Sequence, residues 1–341
     1  RSPTCKLFQK TREDFYRVPI CGSTRYEEAS PAPVSIRTLL GATPADVGGE
    51  LANQQVTRYA QGRQIQYITI ANTGNSSDFG DLGTSTHWDR YNSFGGGGGG
   101  RAIYAGGQDN DGPYAAHDTS VYFTIATTGN PTDFGDLSST KYNMGTGSSG
   151  VRGLSLGGYD GYPSQSSVID VFHFATEGNA ANMGSLSAGR GSTTGASNEN
   201  VSLSMGSGDN SVGYSNVIDR TNNASIGTAT DFGDLTQSRG QNGSANNATT
   251  ALAAAGIIAT NNDQNTIDKV TMATTGNATD FGDLIHETTY TTGCSNSTRA
   301  VFFGGVSGST KRKNIQFVTL NTEGNAIDFG DAGQNSNRNA A

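Results

Sequence analysis

Apolar and polar residues alternate along short runs that recur through most of the chain. The run Ile267-Asp268-Lys269-Val270-Thr271-Met272-Ala273 has the period of two expected of a half-buried strand. Thr275-Gly276-Asn277 follows, with residue types that tolerate a left-handed backbone in a tight hairpin. The chain then returns through Thr279-Asp280-Phe281-Gly282-Asp283-Leu284, which predicts a second strand with Phe281 entering the core. After a polar stretch comes Arg299-Ala300-Val301-Phe302-Phe303-Gly304-Gly305, a further strand closed by a diglycine.

This unit repeats. Asp-Phe-Gly-Asp begins at Asp78, Asp133, Asp231, Asp280 and Asp328, and a degenerate Asn-Met-Gly-Ser copy begins at Asn182. The intervals are 55, 49, 49, 49 and 48 residues. The diglycine recurs at Gly106-Gly107 and Gly157-Gly158 and softens to Gly206-Ser207 and Ala255-Gly256. Each unit therefore predicts four strands: a first rich in Ser, Asn and Thr, then the diglycine, alternating and Asp-Phe-Gly-Asp strands. Four strands in a period of about 40–50 residues make a β-propeller blade, whereas the coils of a β-solenoid are far shorter.

Six alternating/Asp-Phe-Gly-Asp hairpins predict an all-β, six-bladed propeller over residues 38–341. Only five diglycine strands follow them (101–107, 152–158, 201–207, 251–257 and 299–305). A partner for the first hairpin is therefore expected from residues 38–64, and the tail 333–341 offers a further strand. Strands from both ends in one blade would close the ring and remove its exposed edges. Phe79, Phe134, Phe232, Phe281 and Phe329 should occupy equivalent buried positions, with Met183 in the degenerate copy.

Composition narrows the class. With 48 glycines in 341 residues and only 15% charged residues, a coiled coil, a helical bundle and a disordered acidic tail are excluded. No run approaches the ~18 apolar residues of a membrane span. No apolar segment follows Arg1, so no secretory signal is expected and the Asn-x-Ser/Thr triplets predict no glycans. Cys5, Cys21 and Cys294 are too few for a disulfide scaffold and lack zinc spacing. Free buried thiols are expected, with Cys5 and Cys21 the pair that could bond.

The net charge of −8 is unevenly spread: residues 1–37 carry +3, leaving −11 on the rest. An acidic body argues against nucleic acid as a partner. Residues 1–37 also hold Leu7, Phe8, Phe15, Tyr16, Val18 and Ile20 without a repeat, and Ser30-Pro31-Ala32-Pro33 reads as an extended hinge. So short a segment cannot bury these side chains alone. It is expected to be an attachment arm.

The order of diglycine strand, alternating strand, Thr-Gly-Asn turn and aromatic-bearing strand resembles a kelch-type repeat, with Phe where kelch units usually carry Trp. The wording of Thr274–Leu284, nearly repeated at Thr127–Leu137, resembles repeat proteins of tailed bacteriophages, notably marine cyanobacterial phages. The likeness covers about residues 65–341. It implies a non-enzymatic virion protein of the tail, neck or fibre region, on the exterior of the particle, whose arm docks on other virion proteins. It leaves open a homo-oligomer and recognition of a host-surface glycan or protein, and it implies neither nucleic acid nor membrane insertion. A lectin-like, carbohydrate-binding adhesin is the alternative, and a galactose-oxidase- or sialidase-like enzyme a remote one.

Catalytic motifs do not assemble. The kinase metal motif Asp-Phe-Gly occurs once per enzyme, not in five spaced copies with a degenerate sixth, and sialidase Asp-boxes want Ser and Trp where Ala278 and Ile285 stand. Asp280 is expected to accept backbone N–H groups in a turn. His87, His117, His173 and His286 show no ligand spacing for a copper site. Asp109-Asn110-Asp111-Gly112 begins like a calcium loop but lacks the closing Glu. The run Gly95–Gly100 has no following Lys-Ser/Thr and is expected to be a flexible connector rather than a phosphate loop. No catalytic residue, metal or cofactor is predicted.

Alternating strand direction puts the loops between second and third strands on one face with the connectors between blades. That face is expected to carry the candidate ligand or receptor residues Trp88, Arg90, Tyr91, Tyr114, Tyr159, Tyr162 and Tyr214. Aromatic rings beside polar groups can stack on sugars or anchor an interface.

Overall fold

In the computed structural model the alternating runs pair as strands, and a β-propeller arrangement results with no helix among the described residues. The structure describes residues 57–58, 64–81, 90–91, 94–109, 115–127 and 129–336. The arm, residues 1–37, lies outside them.

Five antiparallel four-stranded blades follow one another. Blade I comprises Phe94–Gly98, Arg101–Ala105, Thr119–Thr124 and Thr132–Asp136; blade II comprises Gly145–Ser148, Arg152–Leu156, Val168–His173 and Ala181–Ser185. Blade III is built from Thr194–Ser197, Val201–Asp209, Gly213–Asn222 and Thr230–Asp234. Blade IV uses Gly243–Asn246, Thr250–Ala254, Gln264–Thr271 and Thr279–Thr288, and blade V Thr292–Ser295, Arg299–Phe303, Thr310–Thr319 and Ile327–Ser336. Ahead of them stands a sheet of three strands, Thr57–Arg58, Gln64–Tyr67 and Ser77–Asp81.

Three expectations are corrected. The described residues form five complete blades, not six, because the sheet of residues 57–81 has three strands and no fourth. Residues 333–336 form no separate strand; they continue the last strand of blade V, with Ser336 opposite Arg312. The glycine run is no connector either. Gly95–Gly98 form most of the first strand of blade I. A Cβ on Gly98 would lie 2.5 Å from the Phe174 ring, so only glycine fits there.

The first strands crowd together near the axis, and their short polar side chains bond from blade to blade. Ser148 Oγ donates to Gly97 O (2.7 Å), Ser197 Oγ to Ser148 O (2.7 Å), Asn246 Nδ2 to Ser197 O (2.5 Å) and Ser295 Oγ to Asn246 O (2.5 Å). These bonds satisfy backbone groups that a buried strand edge would otherwise leave orphaned.

The repeat wording acts mainly between blades. The turn that carries Gly-Asn, preceded by Thr or Glu, in one blade lies against the Asp-Phe-Gly-Asp strand of the blade before it. Gly178 N donates to Phe134 O (2.7 Å), Gly276 N to Phe232 O (2.7 Å) and Gly324 N to Phe281 O (2.9 Å). The asparagine completes the joint: Asn179, Asn277 and Asn325 accept from the backbone of Asp136, Asp234 and Asp283 at 3.0–3.1 Å. The same bonds run from blade V to the three-stranded sheet, Gly74 N to Phe329 O (2.8 Å) and Asp331 N to Asn75 Oδ1 (2.9 Å). On the other side of that sheet, Phe79 packs edge-on against Phe123 of blade I. The ring is thereby closed.

Phe79, Phe134, Phe232, Phe281, Phe329 and Met183 are all buried. Phe134 shows their setting, edge-on to Tyr122 of its own blade and to Phe172 of the next. Asp280 Oδ1 accepts from Gly282 N at 3.1 Å, a turn acceptor as expected.

A second joint is a buried polar side chain on the third strands of blades II to V. Asp170, Asp219 and Asp268 accept from the backbone N–H of Ser138, Ser187 and Thr236. They also pair with Lys141, Arg190 and Arg239 at 2.7, 3.2 and 3.1 Å, with both partners buried. Burial pulls Lys141 and Arg239 below their usual ranges while the paired aspartates oppose the shift. Blade V replaces the pair with neutral groups: Gln316 accepts from Ile285 N, and buried Thr288 stands where its neighbours carry a cation. Charge is thus present on both partners or on neither. Removing one member leaves a buried charge unpaired, so Arg239→Ala should lower unfolding free energy in urea by about 3–5 kcal/mol. The double change Arg239→Thr with Asp268→Gln, which copies blade V, should recover most of that loss; no recovery would show that the pair itself is required.

Candidate axial ligand site

A cavity of about 450 Å³ opens on the face where the loops between second and third strands emerge. Its walls come from all five blades, from Gln108 of blade I to Tyr290 at the entrance to blade V, which places it at the axis. The volume falls within the range of about 300–1,000 Å³ usual for small-molecule sites.

Connectors entering successive blades build the floor. Asn143, Ser192, Gln241 and Tyr290 stand 49 residues apart, and each has a left-handed backbone, with φ of 55°, 54°, 58° and 56°. A chain of backbone hydrogen bonds joins them, Ser192 N to Asn143 O, Gln241 N to Ser192 O and Tyr290 N to Gln241 O, at 2.8–2.9 Å. Four equivalent backbone positions therefore present four different side chains to one cavity.

The loop side chains form the wall. Tyr159 is buried, its ring 5.5 Å from both Tyr142 and Tyr162 between centroids. It fits because residue 191 is glycine, where a Cβ would lie 2.4 Å from the ring. Tyr162 stands at the rim, 53% exposed. Both hydroxyls meet Asp209 of blade III: Tyr159 Oη donates to Oδ2 at 2.8 Å, and Tyr162 Oη lies 3.4 Å from Oδ1. Ser211 N donates to the same Oδ1 at 2.8 Å, and Ser211 Oγ bonds Tyr162 Oη. In the same hairpin as Asp209, Tyr214 Oη donates to Asn210 Oδ1 at 3.1 Å.

Burial, followed by the hydrogen bond to Asp209, raises the Tyr159 hydroxyl above its usual range. Burial first, then the Asp209 carboxylate, pushes Tyr214 up to about 12. What these groups offer chemically is a set of aromatic faces, amides and one hydrogen-bonded carboxylate.

Of the candidate residues read from sequence, Tyr159, Tyr162 and Tyr214 meet in this cavity. Arg90 and Tyr91 form a short strand paired with Gln108–Asp109, beside the wall residue Gln108, and their side chains are not described. Trp88 and Tyr114 lie outside the described residues. The sequence reading missed Tyr142 and Tyr290, which sit in connectors rather than in the long loops. Elsewhere on this face His117 Nε2 lies 2.7 Å from Asp109 Oδ1. Among the described residues no three of His, Cys, Asp and Glu gather as a metal site. Cys294 is buried and free, its thiol pushed up to about 12 by burial. No protein-family model matches the chain, and no curated protein matches it significantly.

The raised Tyr214 value has a signed consequence. An unfolded tyrosine titrates near pH ~10, so this group stabilises the fold fully below that pH, and the contribution is lost as pH rises through about 12. In a spectrophotometric titration Asp209→Asn should move the latest tyrosine ionisations to lower pH. Unchanged curves would show that Asp209 does not act on these hydroxyls.

Proposed function

We propose that this kelch-like propeller is a non-enzymatic recognition and docking module of a tailed-bacteriophage particle, exposed on its tail, neck or fibre region. The repeat wording at Thr274–Leu284 supports the phage assignment. The observation that carries the recognition role is the axial cavity, where five blades contribute to one tyrosine-lined wall. Asp209 supports a binding role over catalysis, since both its oxygens already accept hydrogen bonds from Tyr159 and Ser211. The basic, apolar-bearing residues 1–37 supply the attachment arm to other virion proteins, and the acidic propeller is left free to face outward.

Two measurements test this reading. Antibody against the propeller should label washed virions of the encoding phage in electron micrographs; a chain made during infection but absent from particles would overturn it. Deleting residues 1–34 should leave a folded propeller, judged by circular dichroism, that no longer joins the particle. Normal incorporation of the truncated chain would remove the arm from the account.

A further inference from the structure

We infer that the axial cavity binds a neutral saccharide, with one pyranose ring laid against the exposed ring of Tyr162, which Tyr159 backs from beneath, and its hydroxyls met by the connector side chains. The inference rests on the recognition role proposed above and names its ligand.

Two independent observations support it. The first is where the backbone is strained. A left-handed backbone is unfavourable for residues other than glycine and, to a lesser degree, asparagine, and for a bulky side chain it is an outlier. Six non-glycine residues of the described chain have positive φ, and four of them line this one cavity. Glycine would relieve the strain at each of the four and is abundant elsewhere in this chain, yet Asn, Ser, Gln and Tyr stand there. Strain gathered at one cavity, with the side chains kept, marks positions where the side chain has a task.

The second is the chemistry of the lining. Tyrosines supply flat apolar faces that carry polar tips, the pattern that matches the C–H face and hydroxyl edge of a pyranose. Asn143, Gln241 and Asn210 supply amides, each of which offers donors and an acceptor, as a sugar hydroxyl does. Asn210 is already held by Tyr214 and Asn261, and Gln241 Oε1 by Thr289 Oγ1, so a purely apolar ligand would leave the Asn143 amide and Gln241 Nε2 without partners, at a cost of about 1–3 kcal/mol each. Charge excludes another class. Among the described lining residues Asp209 is the one charged side chain, and no Lys, Arg or His accompanies it. A sialic acid, uronate or phosphate would meet a like charge with no cation to offset it.

The test uses the full chain and saturation-transfer NMR with galactose, glucose, N-acetylglucosamine, lactose and maltose, and with N-acetylneuraminic acid as the charged probe. At least one neutral sugar should show transfer and the acid none. Tyr162→Ala, at an exposed position, should weaken binding about tenfold or more by removing a stacking face. Asn143→Gly should weaken binding while leaving the melting temperature equal or higher, since glycine relaxes the left-handed backbone; a merely structural Asn143 would lose stability instead. No transfer from any neutral sugar, preference for the acid, or full binding in both variants would overturn the inference. A particle-bound protein that ignores all five sugars would sink the ligand class and leave the virion role standing. Sugar binding by a chain absent from particles would do the reverse.

Discussion

The propeller depends on one close approach, repeated from blade I through blade V to the first sheet: the glycine of the Asp-Phe-Gly-Asp segment lies against the turn backbone of the next unit. A Cβ on Gly233 would sit 2.4 Å from Gly276 O, one on Gly282 2.5 Å from Gly324 O, and one on Gly330 2.6 Å from Gly74 O. These glycines also hold φ near 145°, where side chains are rarely tolerated. The contact lets the phenylalanine carbonyl accept from the neighbouring turn and lets the ring fill the space between two sheets. The segment therefore fixes the spacing between blades as well as the core within them. Even the degenerate copy keeps its glycine, Gly184, against Gly227, although Phe has become Met183 and the flanking acids have been lost.

Much of this was legible in the sequence because each element is a local pattern. Alternation identified the third strands, the diglycine the ends of the second, and Phe281 and its counterparts the buried positions. The interblade joint was half legible: Thr-Gly-Asn was read as a hairpin turn, and sequence alone does not show that Asn277 serves the preceding blade. The buried pairs were missed although Lys141, Arg190 and Arg239, with Asp170, Asp219 and Asp268, keep the 49-residue period. Charged residues are seldom fully buried, so a sequence reading assigns them to the surface. The glycine run misled for a related reason. Its composition suggests flexibility, and only the approach of Phe174 from the next blade shows why Gly98 must be small.

The axial site was the least legible part. Tyr159, Tyr162 and Tyr214 stood out as loop aromatics, but their meeting depends on the ring. Asn143, Ser192, Gln241 and Tyr290 share a period and a backbone conformation while sharing no side-chain type, so they form no motif. Their variety follows from their position. The hydrogen-bonded connector chain holds the backbone constant while the side chains that line the cavity differ.

The account centres on a ring held mainly by one kind of joint, and native-state amide hydrogen exchange tests it most directly. The N–H groups of Gly178, Gly276 and Gly324 should be strongly protected, because each donates to a buried phenylalanine carbonyl. Gly74 N makes the same bond to Phe329 O, between the first sheet and the last blade, and should be protected to a similar degree. Rapid exchange at Gly74 beside slow exchange at the other three would contradict a closed ring, and with it the axial cavity that the ring encloses.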